Sequence, residues 1–265
     1  NIDKIDRNGD GVIGYVLAIG DIGHNDSIAR TRGVRKALGT GVEKDGDIDS
    51  APIGTNADGT ATAVKDGTIE AGGKKYVVRE LASQEMKNSA GATWDAATAG
   101  NSIGTWSSSF GENIDVVVSN NDGMGMSMFN AWSKDNKVPT FGYDANNDAV
   151  AAIAEGYGGT ISQHADVQAY LTYEPVSKQL DEKEHAKKKV WLNIYNASDN
   201  FLSSTYQPLL KNYDDLLNLD VEYIGGDGQT ESNITNRLGN PSQYDAFAIN
   251  MVKTDNAASY TSLLQ

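Results

Sequence analysis

Several side chains in this sequence are of the types that grip a neutral ligand rich in hydroxyls. Asp26, Asp144 and Asp199 can accept from hydroxyls, Arg30 and His24 can donate, and the amides of Asn121, Gln163 and Asn250 can do both. Trp94 and Phe201 are flat apolar rings able to cover a ligand's faces. A pyranose is such a ligand: each hydroxyl buried without a partner costs about 1–3 kcal/mol, and its C–H faces suit aromatic rings. Asp26 and Arg30 are four residues apart at the start of an expected helix and so share a face. They read either as a surface ion pair or as a carboxylate held by arginine for a ligand.

What places these residues is the ends of strands. Short β-branched runs at 12–19, 114–119, 138–144, 159–163, 190–195, 220–224 and 244–250 alternate with helical patterns at 26–38, 122–136, 147–155, 164–180, 201–217 and 229–237. Alternation of this kind predicts an α/β chain with doubly wound parallel sheets. Such sheets bind ligands beyond the carboxyl ends of their strands. There lie His24 and Asp26, then Asn121, Asp144, Gln163, Asp199 with Phe201, and Asn250. Each alone also suits a helix cap or turn. Residues 39–91, rich in Gly, Asp, Thr and Lys, read as an insertion carrying a hairpin at 67–78. The charged stretch 180–189 reads as a junction.

The excess of 36 acidic over 22 basic residues gives a net charge of −14, which disfavours nucleic acid and anionic membranes as partners. With no cysteine there is no disulfide, thiolate metal site or cysteine nucleophile. No apolar run reaches membrane-span length. The segment Asp6-x-Asn8-x-Asp10-Gly11 has the spacing of a calcium loop, with Val12 at the backbone-carbonyl position. The twelfth position, where such loops need Glu, is Leu17, and the ninth is Gly14. Structural calcium and a metal-free turn are both readings of this loop.

In ordered blocks the chain resembles the periplasmic galactose/glucose-binding proteins, sugar receptors of ABC importers. The blocks are Asp6–Gly11, Gly23-His24-Asn25-Asp26 with Arg30, Trp94-Asp95, Val117–Met124, Phe141–Ala145 and Gly159–Gln163, then Tyr195–Phe201 and Ala248–Asn250. The last two open the family's usual chain, so the order here looks like a circular permutation joined around 181–189. The resemblance implies two sugar-binding lobes, 1–163 and 164–265, with a hinge and a ligand cleft between them. It implies sugar contacts at Asp199, Asn250, His24, Asp26, Arg30, Asn121 and Asp144, an aromatic sandwich from Phe201 and Trp94, and Gln163 where the family has Asn. It also supplies a distant carboxylate, Asp115, for the loop. Glucose or galactose is then the expected ligand, membrane subunits of an ABC importer the partner, and the periplasm (free or anchored to the membrane) the location of a monomeric, non-catalytic receptor. Ribose or allose is the alternative within the class. A glycoside-processing enzyme using Asp199 and Asp26 is disfavoured, because Arg30 would lower the pKa of the proposed acid. A related repressor is disfavoured by the lack of a basic helix-turn-helix.

Overall fold

A computed structural model describes residues 4–54, 64–133, 137–179, 187–196, 199–225, 238–250, 258 and 260–261, with no side-chain detail at 176, 177 and 179. The expected helix at 229–237 and most of the 180–189 junction lie outside the described residues. The chain divides into two compact units, Asn1–Ser162 and Gln163–Gln265, each with its own α/β architecture.

Unit 1 is built on β1 (Val12–Ile19), whose side chains are buried on both faces. Tyr15, Leu17 and Ile19 pack with Val34 and Leu38 of helix α1 (Asn25–Leu38). Val16 and Ala18 point the other way, against Ala99, Ile103 and Trp106 of α2 (Ala96–Phe110) and Met124 and Met128 of α3 (Asp122–Ala131). This period of two between covered faces is what turns an unbroken aliphatic run into a central parallel strand. The short β2 (Glu43–Lys44) and β3 (Asp47–Ile48) form a separate ribbon. The main sheet adds β4 (Gly67–Ala71), β5 (Lys74–Glu85), β6 (Val116–Ser119), β7 (Thr140–Asp144) and β8 (Gly159–Ser162) in the order β4-β5-β1-β6-β7-β8. A short helix, α4 (Asn147–Ala152), joins β7 to β8. The chain runs from β1 out to β5 on one side and returns to β6 on the other, so the topology reverses between β1 and β6. The crevice beyond their carboxyl ends is where this architecture places ligands.

The expected insertion at 39–91 is in part sheet. The hairpin is present, turning at Gly72 and Gly73 with positive φ, but its second strand continues to Glu85 and pairs in parallel with β1 from Val77 onward. The alternation of β5 is broken by Glu80, whose buried carboxylate takes two hydrogen bonds from Arg35, at 2.7 and 2.9 Å, and one from the Tyr15 hydroxyl at 2.6 Å. The other Arg35 nitrogen, Nη1, donates to the carbonyls of Asp49 and Ala51, tying the loop after β3 to α1 and β5. A polar residue at a core position is tolerated here because every charge is paired.

On the α1 face, Phe141 of β7 and Ile161 of β8 are exposed beside α1. A groove of about 690 Å³ runs there, bordered by Val116, Val118, Phe141 and Ile161.

Unit 2 has a parallel sheet of β9 (Lys188–Ile194), β10 (Leu219–Gly225) and β11 (Ala246–Ile249) in the order β10-β9-β11. Val190, Leu192 and Ile194 pack against Ala169 and Tyr173 of α5 (Ala165–Gln179) and Leu210 of α6 (Gln207–Leu216). Trp191 faces the opposite side with Leu238, Tyr244 and Tyr260.

Candidate functional site

The carboxyl end of β1 leads directly into the first group of expected site residues. His24 is the N-cap of α1, and its Nδ1 accepts the Asp26 N–H at 3.1 Å, which leaves Nε2 as the donor of the ring. Its edge meets Trp94 at 5.1 Å between ring centres. Trp94 holds a φ of 60° and packs so closely over Gly20 that a Cβ there would run into the indole. Glycine at 20 is therefore what lets the indole sit against the end of β1.

Arg30, one turn further along α1, crosses to the ends of β6 and β7. Its Nη1 donates to the Asn120 carbonyl at 2.7 Å and lies 3.5 Å from Asp144 Oδ1, while Nη2 reaches Asp26 Oδ2 at 3.4 Å. The guanidinium carbon lies 4.0 Å from the centre of the Tyr143 ring, a stacked cation–π geometry. The two carboxylates differ: the Asp144 side chain is 2% exposed and the Asp26 side chain 53%. Of the two sequence readings of Asp26 and Arg30, the i,i+4 pair is present, and the arginine is also drawn inward to Asp144.

Asn121 caps α3, its Oδ1 accepting the Met124 N–H at 2.9 Å, so its amide nitrogen is the group left to donate. Asn120 is buried, and its Oδ1 gathers the Ser27 and Thr31 hydroxyls and the Gly20 N–H. These bonds lock the ends of β1 and β6 to α1. His24, Asp26, Arg30, Trp94, Asn121 and Asp144 are thus gathered at the carboxyl edge of the unit 1 sheet. Asp144 itself has a φ of 118° and Ala145 a φ of 56°, both in the region that favours glycine. Asp122, Asn120 and Tyr143 support this edge without having been singled out as contacts; the run of polar residues closing β6 was the only trace of the first two.

In unit 2, Gln163 falls one residue past the division between the units, and Gln168 Nε2 donates to its carbonyl at 2.8 Å. Asp199 follows β9, its Oδ1 accepting the Leu202 N–H at 2.9 Å. Asn250 follows β11, its N–H bonded to the Asn193 carbonyl and its Oδ1 3.4 Å from the Tyr195 nitrogen, which ties the ends of β9 and β11. Phe201 is 6% exposed, packed in the unit's core and stacked on Tyr206 at 6.2 Å. It is a core ring in this arrangement, where an aromatic cover was expected.

The loop Asp6–Val12 is closed by its own hydrogen bonds. Asp6 accepts from the N–H groups of Gly9 and Gly11, Asp10 from that of Val12, and Asp115 from those of Arg7 and Gly14. Asn8 directs its amide nitrogen at Asp10 and Asn113. Burial raises the pKa of Asp115, with the charges of Asp6 and Asp10 adding in the same direction. Among the described residues, no group of three or more acidic or histidine side chains is arranged to hold a metal ion.

No helix among the described residues is long and apolar enough to cross a membrane. Residues 3–184 match a family model described as a periplasmic binding protein domain, and residues 187–257 match a second model of the same description. The chain is 31% identical over 164 residues to the D-galactose/methyl-galactoside binding periplasmic protein MglB of Haemophilus influenzae, an alignment covering 59% of this chain and 37% of that protein. The chain thus spans little more than a third of that relative's length. With the first model alone matching well over half of the sequence, on a doubly wound sheet of the kind these proteins use, the chain belongs to the periplasmic binding protein family.

Proposed function

We propose that this chain is a monosaccharide receptor that captures glucose or galactose in the periplasm and delivers it to the membrane subunits of an ABC-type importer. The observation that carries this reading is the gathering of Arg30, Asp26, Asp144, His24, Asn121 and Trp94 at one sheet edge. Two carboxylates, one guanidinium and an indole at that edge match the needs of adjacent hydroxyls and one C–H face. A galactose-binding relative supports the same ligand class. Asp199 and Asn250 of unit 2, with Gln163, supply the remaining polar partners, and Phe201 contributes a second ring after a change of its packing.

The circular permutation belongs to this proposal. The two family matches meet between residues 184 and 187, inside the stretch where the order of motifs changes, which supports a junction there. For the loop at 6–12 we infer a turn that stands without an ion, since each of its carboxylates already accepts backbone N–H groups.

Equilibrium dialysis with labelled glucose, competed by galactose, ribose and allose, tests the ligand class. Glucose or galactose should compete best and be recovered unchanged. Preferential competition by a pentose, or conversion of the sugar, refutes the reading.

A further inference from the structure

We propose that Asp122, which no sugar-contact assignment includes, is the positioning residue of the ligand site: its carboxylate clamps the turn that aims Asp144. This inference rests on the monosaccharide reading above. Asp122 is the first residue of α3, a place where an acid usually complements the helix dipole from the surface. Here it is fully buried. Its Oδ2 accepts the Asn146 N–H at 2.9 Å and the Thr160 hydroxyl at 2.8 Å, and its Oδ1 accepts the Tyr157 hydroxyl at 3.2 Å. Thr160 Oγ1 in turn accepts the Ala145 N–H at 3.0 Å. The two peptide N–H groups that follow Asp144 are therefore fixed by Asp122, one directly and one through Thr160.

What they fix is an unfavourable conformation. Asp144 and Ala145 both have positive φ, and residues without glycine's freedom persist there only where their surroundings over-determine them. Release of the turn would let the Asp144 carboxylate swing away from Arg30. The sequence makes room for the clamp, because a Cβ at Gly142 would collide with Asp122 Oδ1 and the Tyr157 hydroxyl. Asp122 also adjoins Asn121, and Thr160 lies in β8, so one carboxylate links the ends of β6, β7 and β8.

Asp122→Asn removes the charge that strengthens the bonds from the Asn146 N–H and the Thr160 hydroxyl, and sets an NH₂ group against the Tyr157 hydroxyl, with little change of volume. Thr160→Val removes only the relay and is the milder variant. Each is made alone and combined with Asp144→Ala, thermal melting confirms folding, and glucose affinity is measured by calorimetry. With Asp144 present, Asp122→Asn should weaken glucose about tenfold or more, and Thr160→Val less. In the Asp144→Ala background neither should weaken it by more than about twofold. Among monodeoxyglucoses, the analogue indifferent to Asp144→Ala should also be indifferent to Asp122→Asn, a pattern that general loosening of the fold would not give. Folded variants with wild-type affinity, or losses that persist undiminished without Asp144, overturn the proposal. If Asp122→Asn does not fold, the Thr160→Val cycle decides by the same criteria. If the wild-type chain binds no sugar, the functional reading fails first and the clamp fails with it.

Discussion

Replacing Asp144 by alanine should cripple glucose binding while leaving the fold intact. The Asp144 side chain is 2% exposed and its Oδ1 stands 3.5 Å from Arg30 Nη1, a long contact for an ion pair. Arg30 keeps the Asn120 carbonyl at 2.7 Å, the Tyr143 ring at 4.0 Å and Asp26 when Asp144 is removed, so its charge is not orphaned. The cost to folding should therefore be about 1 kcal/mol, well under the 3–5 kcal/mol of a stranded buried charge. The ligand loses more, because hydrogen bonds to a charged acceptor contribute about 1.5–3 kcal/mol. At about 1.4 kcal/mol per decade, the dissociation constant rises roughly 10- to 150-fold. Asp144→Asn keeps one acceptor and should fall between the two proteins. Calorimetry measures the affinity and a thermal melt the fold. An Asp144→Ala protein that melts normally and binds glucose within about twofold of wild type would refute the assignment.

Other outcomes follow from the same geometry. Asp199→Ala should also abolish tight glucose binding, with a further loss of about 0.5–2 kcal/mol in unit 2 stability because Oδ1 caps the Leu202 N–H; unchanged dialysis binding argues against its role. Gly20→Ala should drive the indole of Trp94 off the end of β1, reducing sugar affinity and altering tryptophan fluorescence; an unchanged spectrum and affinity contradict the packing. Glu80→Gln removes the charge facing the buried Arg35 and should cost about 3–5 kcal/mol in urea unfolding, with a shift below about 1 kcal/mol counting against the network. Calcium at about 1 mM should stabilise the chain by no more than about 0.4 kcal/mol relative to chelator, the value for a dissociation constant near 1 mM; a larger gain means that the loop is a true calcium site.

The parts of the fold legible in the sequence were those whose burial is local. β1 could be read residue by residue because an uninterrupted aliphatic run, buried on both faces, leaves its trace in composition. β5 was hidden because its core position 80 is a glutamate whose partner, Arg35, lies 45 residues away. α2 was missed because its Ala, Gly, Ser and Thr residues show little apolar period, with Ile103 and Trp106 carrying the buried face. The i,i+4 relation of Asp26 and Arg30 was visible, whereas the contact of Arg30 with Asp144, 114 residues on, needed the sheet to form. The role of Asp122 was masked by its position, since an acid at a helix start has an ordinary explanation. The place of Phe201 after a strand is visible in the sequence, whereas its packing on Tyr206 depends on the helical turn 202–206, which residue type alone does not reveal.

Calorimetric titration of the folded chain with D-glucose and D-galactose, with Asp144→Ala in parallel, bears most directly on the central claim. Saturable heat at a single equivalent of one of these hexoses, strongly weakened in Asp144→Ala, is the predicted result. A cooperatively melting protein that gives no binding heat with either sugar at about 1 mM would contradict it.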